Sequence, residues 1–263
     1  MRNTILAAAL CLAGVARADL TLVNEINTAG KPPRTVTLSV KGAVALFELD
    51  EGAGTRTMLR DGNAKKMYAI NHEKKELVVI TEADSRELEA RQAQFRAQMQ
   101  AQLDKLPPEK RARMEATMLG PAPTAKPASY TFDKKKTPAR KVAGFTCQDY
   151  TVKRDGVDDG EGCFTPWKDI GVTAKVFKES LEQAMPSAAT QGMLAHAFDE
   201  HASAPGFPVY RVRNGRDGAK TEATVKRFTK TALGDEKFVL PKGYTERSVG
   251  DAMKAPPPPR PAK

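Results

Sequence analysis

The segment from residue 19 to residue 81 limits the possible folds most, because apolar and polar residues alternate in it over several short stretches. In "RTVTLSV" (34–40), Val36, Leu38 and Val40 alternate with hydroxyl side chains. This period of two is typical of a strand in a sheet with one buried and one solvated face. Four further stretches follow at short spacing: "AVALFELD", "TRTMLRDG", "KKMYAINHE" and "KELVVIT". The pattern predicts an antiparallel meander.

Residues 84–119 change the pattern, because they are rich in Ala, Gln, Glu, Arg, Leu and Met, which favour helices. Pro107 and Pro108 interrupt the segment, so we predict a long helix and then a short one. Helical spacing joins five apolar residues into a stripe: Leu88, Phe95, Met99, Leu103 and Leu106. Two interpretations remain open: a cover packed on the sheet, or an arm that binds a partner or a membrane surface.

The remainder of the chain predicts a second group of strands with helices between them. The segments are a Pro/Ala linker (120–129), strands (130–167), two helical stretches (174–185 and 190–202), a hairpin (207–230), a final strand (237–247) and a Pro-rich basic, disordered tail (251–263). We therefore predict an α+β fold with a single domain over residues 19–250.

The first 18 residues have the layout of a secretory signal peptide. Arg2 precedes an apolar run that is too short to span a bilayer, and Ala16 and Ala18 form a small-x-small cleavage site. Cys11 lies within the run and would be removed with it. We predict cleavage after Ala18, a periplasmic or secreted protein, and no transmembrane segment.

Cys147 and Cys163 are then the only cysteines of the mature chain. An even number of cysteines in an oxidising compartment favours a disulfide. The residues between them read as a strand, a polar turn and a returning strand, so the bond would close the base of a hairpin. A redox role is the alternative, but no C-x-x-C spacing is present to activate a thiol.

The formal net charge of +10 becomes +8 without the first 18 residues, which contain Arg2 and Arg17 and no acidic residue. Such a charge could favour anionic lipids, acidic polymers or nucleic acid. The basic residues are scattered and no aromatic residues are interleaved with them. We therefore predict a solvated basic surface and no nucleic-acid partner.

The motifs of common enzyme classes are absent from the sequence: there is no G-x-S-x-G, no phosphate-binding glycine loop and no H-E-x-x-H. His72 falls in a predicted turn. His196 and His201 are five residues apart, whereas a metal site on a helix prefers a spacing of four. We predict no catalytic residue, no metal site and no cofactor.

Several segments, in order, resemble the exported DUF4412 family of uncharacterised bacterial proteins. These are "RDGNAKKMYAINHEKKELVVIT" (60–81), "VAGFTCQDYTV" (142–152), "CFTPW" (163–167), "GFPVYRV" (206–212) and "TEATVKRFTKTALGDEKFVLPKGYTER" (221–247). The last two segments contain a Gly-Phe-Pro strand, a following strand and a Phe-x-Leu-Pro-x-Gly-Tyr ending. This pattern also resembles the broader LolA/LolB-like lipoprotein-carrier fold. The helical insertion at 84–119, the Cys147–Cys163 loop and the tail depart from a compact carrier.

The resemblance implies a curved antiparallel sheet, an incomplete half barrel, with helices over an apolar concave face that holds acyl chains in the carriers. Alternation and helical periodicity select the candidate lining residues for a lipid or acyl chain: Val36, Leu38, Phe47, Met58, Tyr68 and Phe95. The first hypothesis is a non-enzymatic binding protein of the bacterial envelope. The alternative is a structural or protein-interaction module that uses the 84–119 helices and the basic tail.

Overall fold

The strands form one large, curved and unclosed sheet. The structure is a computed structural model that describes residues 19–52, 54–107, 110–111, 128–177, 179, 200, 203–215 and 218–254. Within these ranges it contains thirteen strands, ordered β13-β6-β5-β4-β3-β2-β1-β12-β11-β10-β9-β7, with β8 also pairing with β9. The described pairings are antiparallel except for β13 with β6, which is parallel. No helix in the described residues is both long and apolar enough to cross a membrane.

The strands are β1 (Leu20–Thr28), β2 (Arg34–Lys41), β3 (Val44–Asp50), β4 (Thr55–Asp61), β5 (Lys66–Asn71), β6 (Glu76–Thr81), β7 (Tyr130–Lys134), β8 (Arg140–Val142), β9 (Phe145–Arg154), β10 (Val157–Thr165), β11 (Phe207–Asn214), β12 (Lys220–Thr229) and β13 (Thr245–Ser248). The helices are α1 (Glu82–Leu103), α2 (Val249–Lys254) and two 3-10 helices, Trp167–Ile170 and Asp235–Phe238. Residues 174–177 add a helical turn after the first 3-10 helix.

The predicted meander is confirmed, since β2 to β6 pair in sequence order as antiparallel neighbours. Its turns are short and held by polar side chains. In the β4–β5 turn, the Asp61 carboxylate accepts hydrogen bonds from the backbone N–H groups of Asn63 and Ala64, at 2.9 and 3.0 Å. The loop therefore stabilises the register that the alternation predicts.

Two apolar clusters lie on opposite faces of the sheet. Leu38 pairs with Phe47, whereas Ser39 pairs with Leu46, and successive residues of a strand point to opposite faces. The cluster on the Leu38 face, called the Leu38 cluster, is covered by the first 3-10 helix and the helical turn; its buried members are Leu20, Leu22, Leu38, Val40, Ala45, Cys147, Cys163, Ile170, Phe177, Phe207, Val209 and Val225.

The cluster on the Ser39 face, called the Leu59 cluster, has Leu46, Leu59, Ile70 and Leu77 as its buried members. Phe238, Leu240 and Tyr244 pack on it from the C-terminal segment. The prediction of one buried and one solvated face is therefore wrong here. Ser39, on the same face, is also fully buried.

Helix α1 begins two residues before its predicted start. Thr81 is the N-cap, its hydroxyl accepts from the Asp84 N–H at 3.2 Å, and the Asp84 carboxylate accepts from the Thr81 N–H at 2.8 Å. The predicted stripe is only partly covered: α1 contacts its neighbour β6, and the Phe95 side chain is 60% exposed. Leu103 is buried, while Leu88, Met99 and Leu106 are half-buried.

The predicted final strand at 237–247 is largely wrong. The chain instead forms a 3-10 helix, an extended stretch and the short strand β13. Tyr244 anchors the stretch, because its hydroxyl lies 3.0 Å from Nδ1 of His72, whose Nε2 lies 2.9 Å from the Thr57 hydroxyl. Helix α2 also continues through Lys254, so the region predicted as a tail begins as helix.

Other predictions fall on residues that the structure does not describe. These are the signal peptide (1–18), the short helix after Pro108, nearly all of the Pro/Ala linker, the helical stretch at 190–202 apart from residue 200, and the tail beyond residue 254. The hairpin at 207–230 is confirmed as β11 and β12, which pair antiparallel. The helix predicted at 174–185 is described only at residues 174–177 and 179, which are helical.

Candidate ligand-binding cleft

A cleft of about 260 Å³ lies on the Leu38 face, above strands β1, β11 and β12. The helical turn and Glu200 border it opposite the sheet. Ligand pockets in proteins are roughly 300–1,000 Å³, so this cleft is slightly smaller than that range. Its described lining consists of Leu22, Asn24, Ile26, Phe177, Glu200, Phe207, Pro208, Arg211, Arg213, Thr221, Ala223 and Val225.

One end of the cleft is aromatic and apolar. The rings of Phe177 and Phe207 meet edge to face with centroids 5.3 Å apart, and both side chains are buried. Trp167 contacts both rings, with centroids 5.8 and 5.7 Å away. Such aromatic contacts add to the stabilisation that burial itself gives, so this end is a rigid apolar wall.

The other end of the cleft is charged. Arg211 and Arg213 share a face of β11 with Phe207 and Val209, since every second residue of a strand points to the same side. On the adjacent strand β12, Thr221 lies opposite Arg213 and Ala223 lies opposite Arg211. Polarity therefore changes along the length of β11, from aromatic at its start to cationic at its end.

Buried ion pairs hold the charged end together. Arg211 donates from Nε to Glu200 Oε1 at 2.7 Å and from Nη2 to the Asp159 carboxylate, and its side chain is only 7% exposed. Arg213 donates to the second oxygen of Glu200, which is itself 2% exposed. Buried charges require such pairing, because an unpaired ion in a protein interior is strongly destabilising.

Glycines in β10 make room for the Arg211 side chain. Its Nη1 donates to the carbonyl oxygens of Asp159 and Glu161, each at 3.3 Å, so the guanidinium lies across the β10 backbone. Gly160 has a φ of +109°, and a Cβ there would approach the Val212 carbonyl oxygen to 2.3 Å. A Cβ at Gly162 would lie 3.1 Å from Cδ of Arg211. The same Cβ would lie still closer, at 2.7 Å, to a ring carbon of Phe164, so the two glycines avoid clashes with Val212 and Phe164 and also leave room for Arg211.

Arg213 differs from Arg211 in its accessibility. The side chain of Arg213 is 39% exposed, against 7% for Arg211. Burial lowers the pKa of Arg213, but the charge of Glu200 and its hydrogen bond outweigh this effect, and the net direction of the pKa is upward. Arg213 is thus a permanent cation that a molecule in the cleft can reach.

The six candidate lining residues do not share one face. Val36, Leu38, Phe47 and Met58 lie together on the Leu38 face, where Phe47 pairs with both Leu38 and Met58. The structure places the other two elsewhere: Tyr68 pairs with Leu59 and packs with the Leu59 cluster, and Phe95 is exposed on α1. None of the six is in the described lining of the cleft. The period of two placed four residues correctly relative to one another, but it did not reveal where the sheet is covered.

The predicted disulfide is confirmed. Cys147 on β9 and Cys163 on β10 are bonded with Cα atoms 5.4 Å apart, and both are buried in the Leu38 cluster. The bond closes the base of the β9–β10 hairpin, as predicted. It also fixes β10, whose Asp159 accepts from Arg211 at the charged end of the cleft.

The remaining metal-ligand candidates add no site. His72 contacts Thr57 and Tyr244, and His196 and His201 lie outside the described residues. Within the described ranges, no three His, Cys, Asp or Glu side chains are grouped so that they could hold a metal ion.

Sequence reasoning missed the residues of the charged end. A usable signal was present in "FPVYRVRN" (207–214), where Arg211 and Arg213 occupy the positions at which alternation expects further apolar side chains after Phe207 and Val209. Two cations on the inward face of a strand require acidic partners. Glu200 carries no comparable local signal, because its pairing depends on the tertiary fold.

Comparisons with known proteins give a family match over part of the chain and no activity. Residues 121–244 match the family described as "Domain of unknown function (DUF4412)", which confirms the resemblance found in the sequence. No curated protein matches the chain.

Two solved structures are similar to this chain at low sequence identity. One is an uncharacterized conserved protein from Thermus thermophilus, 7% identical, with a TM-score of 0.42 over 88% of this chain and 91% of that one. The other comes from the MucA/MucB complex of Pseudomonas aeruginosa, 8% identical, with a TM-score of 0.36 over 86% of this chain and 56% of that one.

Proposed function

We propose that this protein, whose residues 121–244 match the DUF4412 family, is an exported, non-enzymatic binding protein of the bacterial envelope. It holds a lipid or another molecule with an acyl chain between its curved sheet and the helical residues that cover it, as in the half barrel of the lipoprotein carriers. The single observation that carries this proposal is the cleft of about 260 Å³ on the Leu38 face.

The chemistry of the cleft supports binding in preference to catalysis. Its walls are mainly apolar, with Leu22, Ile26, Phe207 and Val225 along its length. Its acid, Glu200, is buried and paired with two arginines, so both of its carboxylate oxygens are already engaged by cations. Apolar pockets with a few convergent polar groups are typical small-molecule sites.

The disulfide supports a location outside the cytoplasm. Disulfides form and persist in oxidising compartments such as the periplasm. The Cys147–Cys163 bond is buried at the base of its hairpin. It agrees with the signal-peptide pattern of residues 1–18, which lie outside the described part of the chain.

Native mass spectrometry of gently purified protein tests the proposal. We expect a population that carries a bound lipid, and apo protein that takes up a lipid or a fatty acid when it is incubated with vesicles that contain both phospholipid and fatty acid. A preparation that carries none and takes none up would refute the proposal. As a matched pair, Val225→Trp should fill the cleft and reduce uptake, whereas Val239→Trp, at an exposed site, should not.

A protein-interaction module is the second candidate. It is favoured by α1, on which Phe95 is 60% exposed and surrounded by polar and charged residues. Replacing residues 84–119 by a short linker distinguishes the two functions. A folded variant that still takes up lipid but no longer binds envelope proteins would support the interaction function.

A further inference from the structure

We infer that the cleft selects single-chain amphiphiles with an anionic head group, which binds at Arg213 while the chain extends toward Phe207 and Phe177. This inference rests on the proposed function and specifies the ligand class for the same site. It is carried by the order of charges and apolar side chains along β11 and by the unequal exposure of the ion-pair network.

The cations and anions of the ion-pair network are unequally exposed. The four charges of the network, Arg211, Arg213, Glu200 and Asp159, balance one another. Their exposed fractions are 7%, 39%, 2% and 18%, so the most accessible group is a cation. An anion that enters the cleft therefore meets the Arg213 guanidinium, while a cation would have to reach past it to the shielded carboxylates.

The charged end of the cleft can donate hydrogen bonds to a head group. A guanidinium has five N–H donors, and among the described residues Arg213 uses them for one acceptor, Glu200. Thr221 lines the cleft beside Arg213 and adds a hydroxyl, which lies 3.3 Å from the hydroxyl of Thr28. Together they offer several donors to a carboxylate or a phosphate, and charge-assisted bonds of this kind are among the stronger ones.

The length and the volume of the cleft together suit a single acyl chain. Arg213 and Phe207 are six residues apart on β11, which corresponds to about 20 Å at the rise of a strand. The volume of about 260 Å³ over such a length suits one chain lying along the strand and not a pair of chains. The apolar part of the ligand would then end against the edge-to-face pair of Phe177 and Phe207.

The inference is tested by isothermal titration of the full mature protein with four ligands of equal chain length, each below its micellar concentration. These are decanoic acid, monodecyl phosphate, decanol and decyltrimethylammonium. We expect the affinity for the two anions to be about tenfold or more higher than the affinity for decanol, because one good charge-assisted hydrogen bond contributes a free energy of about that size. The cationic amphiphile should bind most weakly. The first two ligands show whether a carboxylate or a phosphate is preferred.

Arg213→Gln should remove the preference for anions, so that decanoic acid and monodecyl phosphate bind to this variant no more tightly than decanol does. Its control is Arg227→Gln, since Arg227 is exposed on β12, pairs with Val23 and does not belong to the described cleft lining. Thermal unfolding of both variants verifies their folding. If Arg213→Gln does not fold, the comparison of decanoic acid with decanol on the wild-type protein decides the question.

The outcomes separate the two proposals. Equal binding of decanoic acid and decanol would overturn the head-group inference and leave the proposed function intact. An unchanged anion preference in a folded Arg213→Gln variant would also overturn it, since the preference would then arise elsewhere. Binding of none of the four ligands would count against the proposed function itself.

Discussion

The two halves of the sheet are stabilised in different ways. In the meander half, β2 to β6, the Leu59 cluster packs under Phe238, Leu240 and Tyr244, which come from the C-terminal segment. In the cleft half, β1 and β9 to β12, the Leu38 cluster packs on the opposite face, under residues that directly follow β10. The Leu38 cluster also includes residues of β2 and β3, so both faces of the sheet are covered where the two halves meet, while each half relies mainly on a different face.

This difference shows that a strand pattern does not decide which face becomes the core. β2 has apolar residues on one face and hydroxyl residues on the other, yet both Leu38 and Ser39 are buried. The segments that cover the sheet decide which face is buried. In the meander half the covering segment is distant in sequence from the strands, whereas in the cleft half it directly follows β10. The cleft half also contains a disulfide and a buried ion-pair network, so single changes there should have the larger effects.

The largest effect is expected for Glu200→Ala. The substitution leaves Arg211 buried with one of its two acidic partners, and breaking a buried ion pair costs about 3–5 kcal/mol. We expect the free energy of unfolding, measured with urea, to fall by about that amount. Glu246→Ala, which removes an exposed carboxylate from β13, is the control and should change it by less than about 0.5 kcal/mol. A loss below about 1 kcal/mol for Glu200→Ala would mean that the network does not stabilise the cleft half.

A smaller effect is expected from the removal of the disulfide. Cys147 and Cys163 are separated by 16 positions, and in the chain-entropy model a loop of this length is stabilised by about 3 kcal/mol. The Cys147→Ser/Cys163→Ser variant should lose roughly this much, with unfolding followed by circular dichroism. The same measurement on the wild-type protein with and without reductant is the control. A variant as stable as the oxidised protein would show that the hairpin is held by packing alone.

The sequence predicted the elements of both halves but not their association. Alternation located β2 to β6, the hairpin of β11 and β12 and the face shared by Val36, Leu38, Phe47 and Met58. Alternation could not place Tyr68 relative to the cleft. The face on which Tyr68 lies depends on the register of β5 with its neighbours, and its burial depends on the distant segment that contains Tyr244.

The candidate site was still less predictable. Composition favoured an amphipathic cover from α1, yet Phe95 is exposed, because helical spacing does not specify what a stripe packs against. Arg211 and Arg213 were visible as cations on an inward face. Their partners, Asp159 and Glu200, are 52 and 11 positions from Arg211, and local patterns carry no information about such contacts.

The smallest effect is expected in the meander half, for Phe238→Ala. Phe238 is half-buried where it packs on the Leu59 cluster. Truncating a fully buried phenylalanine costs about 3–5 kcal/mol, so a half-buried ring should contribute about 2 kcal/mol. Urea unfolding measures the loss. Val239→Ala is the matched control, since the neighbouring side chain is 62% exposed and should contribute less than about 0.5 kcal/mol.

The same variant also shows whether the two halves are independent. The Leu59 cluster lies on the face opposite the cleft, so Phe238→Ala should leave the affinity for decanoic acid unchanged while it lowers stability. If ligand affinity falls together with stability, β2 and β3 transmit the change from one face to the other, and the sheet would have to be treated as a single cooperative unit. If stability does not fall, the C-terminal segment does not stabilise the meander half by covering the Leu59 cluster.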